Sequence, residues 1–226
     1  MSKKLTKNRK IILEKIDKKN KYSLEEATTI IKKISFSKFD ESVDISIHLG
    51  IDSRLSNQII RGTVLLPHGT GKNICVLALV SKDKELEAKE AGADYVGLDY
   101  IEKIKSGWID VIVAIPSVMN KLGSLGKILG PKGLMPNPKL DTVSTNPGKS
   151  IKEIKSGKIT FKADRYGIIH SSIGRISFST QYLLDNLKTF INEVIRSKPS
   201  SSKGSYIKRI YLSTTMSPSI SLDSKS

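Results

Sequence analysis

Cysteine is nearly absent from this chain, with Cys75 the only one in 226 residues. A single cysteine excludes an intrachain disulfide framework and any zinc site built on paired thiolates. Cys75 sits in the apolar run I-C-V-L-A-L-V, which predicts a buried, reduced thiol and an intracellular, cytoplasmic protein. Histidine is scarce too: His48, His68 and His170 stand far apart in sequence, so no metal-ligand spacing exists and no metal is expected. No apolar stretch reaches the roughly 18–20 residues that span a bilayer, and no membrane association is expected. The basic start M-S-K-K-L-T-K-N-R-K runs into I-I-L-E-K-I-D-K-K-N, which lacks the apolar core of a secretory signal.

Acid is the other shortage. Lysine and arginine total 38 against 22 Asp and Glu, a net charge of +16 and a pI near 9.8, the balance of a protein that sits on phosphate. The excess is uneven: residues 1–68 carry 14 basic and 8 acidic groups, 69–157 carry 13 and 10, and 158–226 carry 11 and 4. The basic surface therefore belongs chiefly to the two chain ends. Lys outnumbers Arg 31 to 7, which favours point-charge contact with phosphate over bidentate reading of guanine. The basic segment 1–21 reads equally as a phosphate-contacting arm or a solvated end.

What is abundant is local. From Gly123 to Pro138 the chain reads G-S-L-G-K-I-L-G-P-K-G-L-M-P-N-P, with four Gly, three Pro, two Lys and no acid. This composition predicts an ordered loop whose backbone lies close to a polyanion.

The flanking segments alternate between helix and strand signals. Ser23 and Glu26 form a capping box ahead of Leu24, Ala27, Ile30, Ile31 and Ile34 at helical spacing. Val43, Ile45, Ile47 and Leu49 alternate with Asp44, Ser46 and His48, the pattern of a half-buried strand. K-I-T-F-K at 158–162 and G-I-I-H-S-S-I-G at 167–174 predict a hairpin turning at A-D-R-Y. Ser179 or Thr180 caps a helix with an apolar stripe of Leu183, Leu184, Leu187, Phe190, Ile191, Val194 and Ile195, and Y-I-K-R-I-Y-L is a last strand. Between these ends, I-C-V-L-A-L-V, a charged helix near 82–91, an extended run at 93–96, a helix at 100–106 and the strand V-I-V-A-I-P predict a parallel sheet flanked by helices. The expected architecture is α/β with α+β in two domains: a discontinuous α+β sandwich of 1–68 and 158–226, and an inserted Rossmann-like α/β domain of 69–157. The crossings fall near 67–71 and 148–157.

Nucleotide-binding motifs fail on inspection. Gly69 and Gly71 precede a strand, whereas a dinucleotide fingerprint needs its glycines after one, and G-K-S at 148–150 has Val143 where a phosphate loop needs glycine. No G-x-S-x-G or acid pair stands out. No catalytic residue, cofactor or enzymatic activity is expected; a nucleotide-dependent enzyme built on the inserted α/β domain is the alternative, and a basic protein without a defined target a third reading. His48 and His170 fit either plain exposed strand histidines or an RNA-contacting pair.

With K-F-D-E-S-V-D-I, R-G-T-V-L-L-P-H-G-T-G-K, G-P-K-G-L-M-P-N-P and T-T-M-S-P-S in this order, nearly the whole chain resembles the bacterial large-subunit ribosomal protein L-one family, the ribosomal stalk protein. The resemblance implies a monomer when free that binds large-subunit rRNA at the mobile stalk, near the exit site for tRNA. It also implies help in releasing deacylated tRNA and repression of its own operon mRNA. Carried over, the RNA-binding surface comprises Lys38, Phe39 and Ser42 with Thr215, Met216 and Ser217, and at its edge Lys162, Arg165 and His170. Lys127, Gly130, Lys132 and Gly133 give the inserted domain a second contact. Without the resemblance, Phe39 and Met216 fit core packing equally well. Two positions depart from the family pattern: Ser42 where Thr is common, and Ser217 where Gly is usual. A β-carbon at 217 is either tolerated by the loop or weakens the contact.

Overall fold

The computed structural model describes residues 20–55, 58–97, 108–123, 125–202 and 204–223, together with Thr6, Lys7, Lys10, Ile12, Ile16 and Tyr100. In chain order the elements are α1 (Leu24–Ile34), β1 (Ser42–Leu49), β2 (Arg61–Leu65), β3 (Val76–Leu79), α2 (Glu85–Glu90), β4 (Tyr95–Val96), β5 (Val111–Ala114), α3 (Met119–Gly123), α4 (Gly126–Lys132), α5 (Pro147–Lys155), β6 (Lys158–Lys162), β7 (Ile168–Arg175), α6 (Thr180–Arg196), β8 (Ile207–Thr214) and β9 (Ile220–Leu222). The chain divides into two compact units, a terminal one of Met1–Gly71 with Phe161–Ser226 and an inserted one of Lys72–Thr160.

The terminal unit is built on an antiparallel sheet of order β7-β1-β8-β9. Alternation in β1 turns Val43, Ile45, Ile47 and Leu49 into the core, where Ile45 faces Leu212 and Ile47 faces Ile169 and Ile210. Helices α1 and α6 cover that face. The Ser23–Glu26 capping box closes the start of α1, and Leu24, Ala27, Ile31 and Ile34 are buried. Ser179, not Thr180, caps α6; its buried stripe excludes Ile195, which is 48% exposed, and includes Asn186. The Asn186 side chain accepts from the His68 N–H at 3.2 Å and donates to the carbonyls of Gly69 and Ile173 at 2.9 and 2.8 Å. A buried amide with three backbone partners ties His68 and Gly69, and Ile173 of β7, to the helix.

The inserted unit is a parallel sheet of order β4-β3-β5. Leu77, Leu79, Ile112 and Ala114 pack on one face with Leu122 and Leu129, while Val76, Ala78 and Val113 pack on the other with Ala88, Ile151 and Ile154. Burial on both faces explains the continuous apolar runs of β3 and β5.

Five expectations need correction. The segment from Gly123 to Pro138 is not all loop: α3 ends at Gly123 and α4 occupies Gly126–Lys132, with Pro131 inside it, because burying Leu129 outweighs the helix penalty of Gly and Pro. The 148–157 crossing is mostly α5, which starts at Pro147 and buries Ile151 and Ile154, and the unit boundary falls instead within β6. The 158–162 and 167–174 runs share only the bridge Ala163–Ile169; β6 pairs with β2 and β7 with β1, so they belong to different sheets. Cys75 is free but only half-buried, since it lies just before β3 at the edge of the core. The strand Ile220–Leu222 adds to the sheet beside β8 and was not foreseen. The helix expected at 100–106 lies outside the described residues apart from Tyr100, as does most of segment 1–21.

Asp110 anchors the start of β3: Oδ1 accepts from Lys72 Nζ at 2.7 Å and Oδ2 from the Cys75 N–H at 3.0 Å, and these bonds hold its carboxyl below the usual 3.8. Burial alone would raise the Asp94 carboxyl, yet the bonds from Lys155 at 2.7 Å and the Val76 N–H at 2.8 Å leave it lowered as well.

Two outcomes follow. Asn186→Leu leaves the His68 N–H and the Gly69 and Ile173 carbonyls unpaired, and urea denaturation is expected to show a loss of about 2–3 kcal/mol. A depressed carboxyl stabilises the fold above its unfolded value and ceases to do so as pH falls through the lower folded value. Asp110→Asn is therefore expected to destabilise the protein more at pH 7 than at acid pH below the lowered value of the folded carboxyl; equal losses at the two pH values would show that the charge on Asp110 contributes nothing.

Candidate nucleic-acid interface

The terminal unit carries 24 basic and 12 acidic side chains, against 14 and 10 in the inserted unit. The two also differ in how charge is paired. In the inserted unit Lys72 meets Asp110, Lys155 meets Asp94, and Lys158 lies between Asp141 and Glu153 at 2.7 and 2.8 Å. Burial would lower the Lys158 ammonium, but the two carboxylates raise it. Among the described residues of the terminal unit no lysine or arginine forms an ion pair with a carboxylate; the pairs there belong to His68 and His170. An uncompensated cationic surface costs self-repulsion that a polyanion relieves.

The face of the sheet opposite the helices presents Ser42, Asp44, Ser46 and His48 from β1, His170 and Ser172 from β7, and Arg209, Tyr211 and Ser213 from β8. Hydroxyls and imidazoles dominate it. His48 and His170 share this face on neighbouring strands, and His170 Nδ1 lies 3.0 Å from Ser46 Oγ.

At the Ser42 end the chain builds a protruding apolar pair. Phe39 and Met216 are 55% and 56% exposed, so neither is a core residue. Their segments are joined where Thr215 Oγ1 accepts from the Ser42 N–H at 3.3 Å and lies 3.1 Å from Ser42 Oγ. Lys38 and Phe39 are held from both sides. Asp40 accepts from the Ser177 N–H and hydroxyl at 3.1 and 2.9 Å, Arg175 donates to the Asp40 carbonyl at 3.0 Å, and Ser37 donates to the Glu41 carboxylate. Glu41 is fully buried, with Oε2 unpartnered. This clasp was missed in the sequence reading, although Glu41 has the same alternation parity as Val43 and Ile45 and is thereby marked as an inward-facing acid.

Ser217 does not need glycine's freedom, since Asp141 is the only described non-glycine residue with positive φ. Its hydroxyl accepts from the Thr214 N–H at 3.1 Å and lies 2.6 Å from Thr214 Oγ1. The β-carbon is thus accommodated in the free protein, and the hydroxyl closes the turn that carries Thr215 and Met216.

The remaining candidates fall elsewhere. His170 pairs with Ser46, four residues along β1 from Ser42 and so about 13 Å away. Lys162 and Arg165 lie beyond β7, around a separate groove. In the inserted unit Lys127, Gly130, Lys132 and Gly133 are all exposed. Gly133 ends α4 in the left-handed region at φ 70, whereas Gly130 has ordinary φ and open space where a Cβ would stand. Gly69 and Gly71 have positive φ and lie before β3 in the terminal unit, away from any strand-to-helix turn.

A family model described as "Ribosomal protein L1p/L10e family" matches residues 31–218. The chain belongs to that family. It is 58% identical over 225 residues to the "Large ribosomal subunit protein uL1" of Phocaeicola vulgatus, which covers 98% of this chain and 97% of that one. The proteins of the same name from Flavobacterium psychrophilum and Bacteroides thetaiotaomicron are 58% and 57% identical, covering 98% and 99% of this chain and 98% and 97% of their own lengths. The mixed α/β fold agrees with this membership, and these relatives are named as ribosomal proteins rather than as enzymes. Among the described residues, no helix is long and apolar enough to cross a membrane.

Ser217→Ala removes both hydroxyl contacts to Thr214. Hydrogen exchange at the Thr214 amide is expected to speed up about fivefold, the equivalent of one hydrogen bond near 1 kcal/mol; unchanged protection would show that the hydroxyl does not hold the turn.

Proposed function

We propose that this chain is a constituent of the large ribosomal subunit in the cytoplasm, and that it binds large-subunit rRNA at the mobile stalk near the tRNA exit site. The observation that carries the reading is the exposed Phe39 and Met216 pair, flanked by Lys38, Ser42, Thr215 and Ser217 on the cationic terminal unit. Phe39 and Met216 lie against ribose or base surfaces, Ser42 and Thr215 bond to 2′-hydroxyls, and Lys38 neutralises phosphate. The names of the relatives support the ribosomal assignment.

His170 extends this surface along the sheet face, and Lys162 and Arg165 belong to a separate contact around the groove at the far end of the β1–β7 pair. Lys127, Gly130, Lys132 and Gly133 form a second, looser contact, supported by their exposure and by the open space beside Gly130. Assistance in releasing deacylated tRNA, and repression of the chain's own operon mRNA through a structure imitating the rRNA site, rest on family membership alone.

Binding to a stalk rRNA fragment is expected to be submicromolar, with log K falling steeply as log salt rises. Phe39→Ala and Met216→Ala are each expected to weaken it by about 1–3 kcal/mol in filter-binding titrations. Equal affinity for a DNA duplex of the same length, or indifference to both substitutions, would overturn the reading.

A further inference from the structure

At the far end of the β1–β7 pair, away from Phe39 and Met216, an open groove of about 440 Å³ is lined by Ile51, Ile59, Arg61, Lys162, Asp164 and Arg165, among others. Two of the seven arginines in the chain meet here. Arg61, Lys162 and Arg165 are exposed, and among the described residues none pairs with a carboxylate. The single acid of the groove does not neutralise them: Asp164 Oδ1 accepts the Tyr166 and Ile168 N–H groups at 2.8 Å each, and Oδ2 lies 3.8 Å from His170 Nε2. That bonding shapes the 164–167 turn, which Gly167 completes at φ 74 and which Ser53 steadies by donating to the Arg165 carbonyl. On this turn Tyr166 is 80% exposed, and Ile59 on the groove wall is 44% exposed.

Three free cations, an apolar wall and a bare aromatic side chain within one small region match the parts of a single nucleotide. We infer that this groove is a nucleotide subsite for an unstacked residue of the bound RNA. Its phosphate lies between Arg61, Arg165 and Lys162, its ribose against Ile59 and its base on Tyr166. Guanidinium groups suit the phosphate because their fork matches two of its oxygens, and an exposed ring suits any base because every base has a π-face. An inorganic anion would use the cations but not Ile59 or Tyr166. This inference rests on the RNA-binding reading above and adds a second anchoring point to it.

The test uses the full chain and the stalk rRNA fragment. Arg61→Gln with Arg165→Gln is expected to make the slope of log K against log salt shallower by about 0.8, because the contact with one phosphate is lost. The control pair Lys188→Gln with Arg196→Gln removes the same charge from the exposed side of α6 and is expected to leave the slope near that of the unaltered chain. Tyr166→Ala is expected to lower affinity about tenfold without changing the slope. All these side chains are exposed, so thermal melting should be unaltered. If the control pair changes the slope as much as the groove pair does, or if the groove pair and Tyr166→Ala both leave binding unaltered while Phe39→Ala weakens it, the groove inference is overturned and the RNA-binding reading survives. If the unaltered chain shows no preference for the fragment over duplex DNA, both fall.

Discussion

Strand β1 lies between β7 and β8, and its strict alternation decides what each face of the terminal unit can be. The odd positions from Val43 to Leu49 are packed under α1 and α6, so the even positions from Ser42 to His48 must emerge on the opposite face. A slip of one residue would bury Asp44 and His48 and expose four large aliphatic side chains. The core thereby enforces the register that brings Thr215 beside Ser42, although the two are 173 residues apart. The placement of Ser42 and Thr215 is precise because the hydrophobic cost of misalignment falls on the opposite face of the sheet.

The same contrast between constrained and unconstrained groups runs through the charges. In the inserted unit, Lys72, Lys155 and Lys158 are drawn into hydrogen-bonded pairs that fix strand and helix ends, and the carboxyls of Asp94 and Asp110 are lowered accordingly. Such lysines serve the fold and have little left for a partner. Among the described residues of the terminal unit no lysine or arginine meets a carboxylate, while much of the local order comes from neutral or acceptor-side bonds: Asn186 to three backbone groups, Asp40 to Ser177, Asp164 to two amides. Net charge alone shows only the excess; the pairing pattern shows which part of it is available.

Legibility in the sequence followed the range of the forces. Helix α1 and strand β1 were readable because a capping box and a period of two are short-range signals that the core reinforces. Helix α4 was not, because Gly126, Gly130 and Pro131 are the residues local rules exclude from helices, and the counterweight is Leu129 buried against β3 and β5. The turn at 164–167 was correctly placed, yet its flanking strands pair with β2 and β1 rather than with each other, a choice made by distant residues. At the candidate site, the residue types came from the resemblance. The clasp of Asp40, Glu41, Arg175 and Ser177 depends on contacts across more than 130 residues and had no sequential signature beyond the parity of Glu41.

The two candidate contacts reach a similar end by opposite means. In α4, Gly130 has neither a positive φ nor a neighbour that would exclude a Cβ, so its presence costs about 1 kcal/mol of helix stability relative to alanine with no return inside the described fold. What it leaves is bare backbone beside the exposed Lys127. At the β8–β9 turn the corresponding economy is reversed: Ser217 adds an atom group where the family usually has none, and that group is bonded twice to Thr214. A glycine turn must be ordered when its partner arrives, whereas a turn already closed by a hydroxyl bears part of that entropy before binding. Substituting serine therefore need not weaken the platform, because the steric allowance it gives up is offset by the order it imposes on Thr215 and Met216.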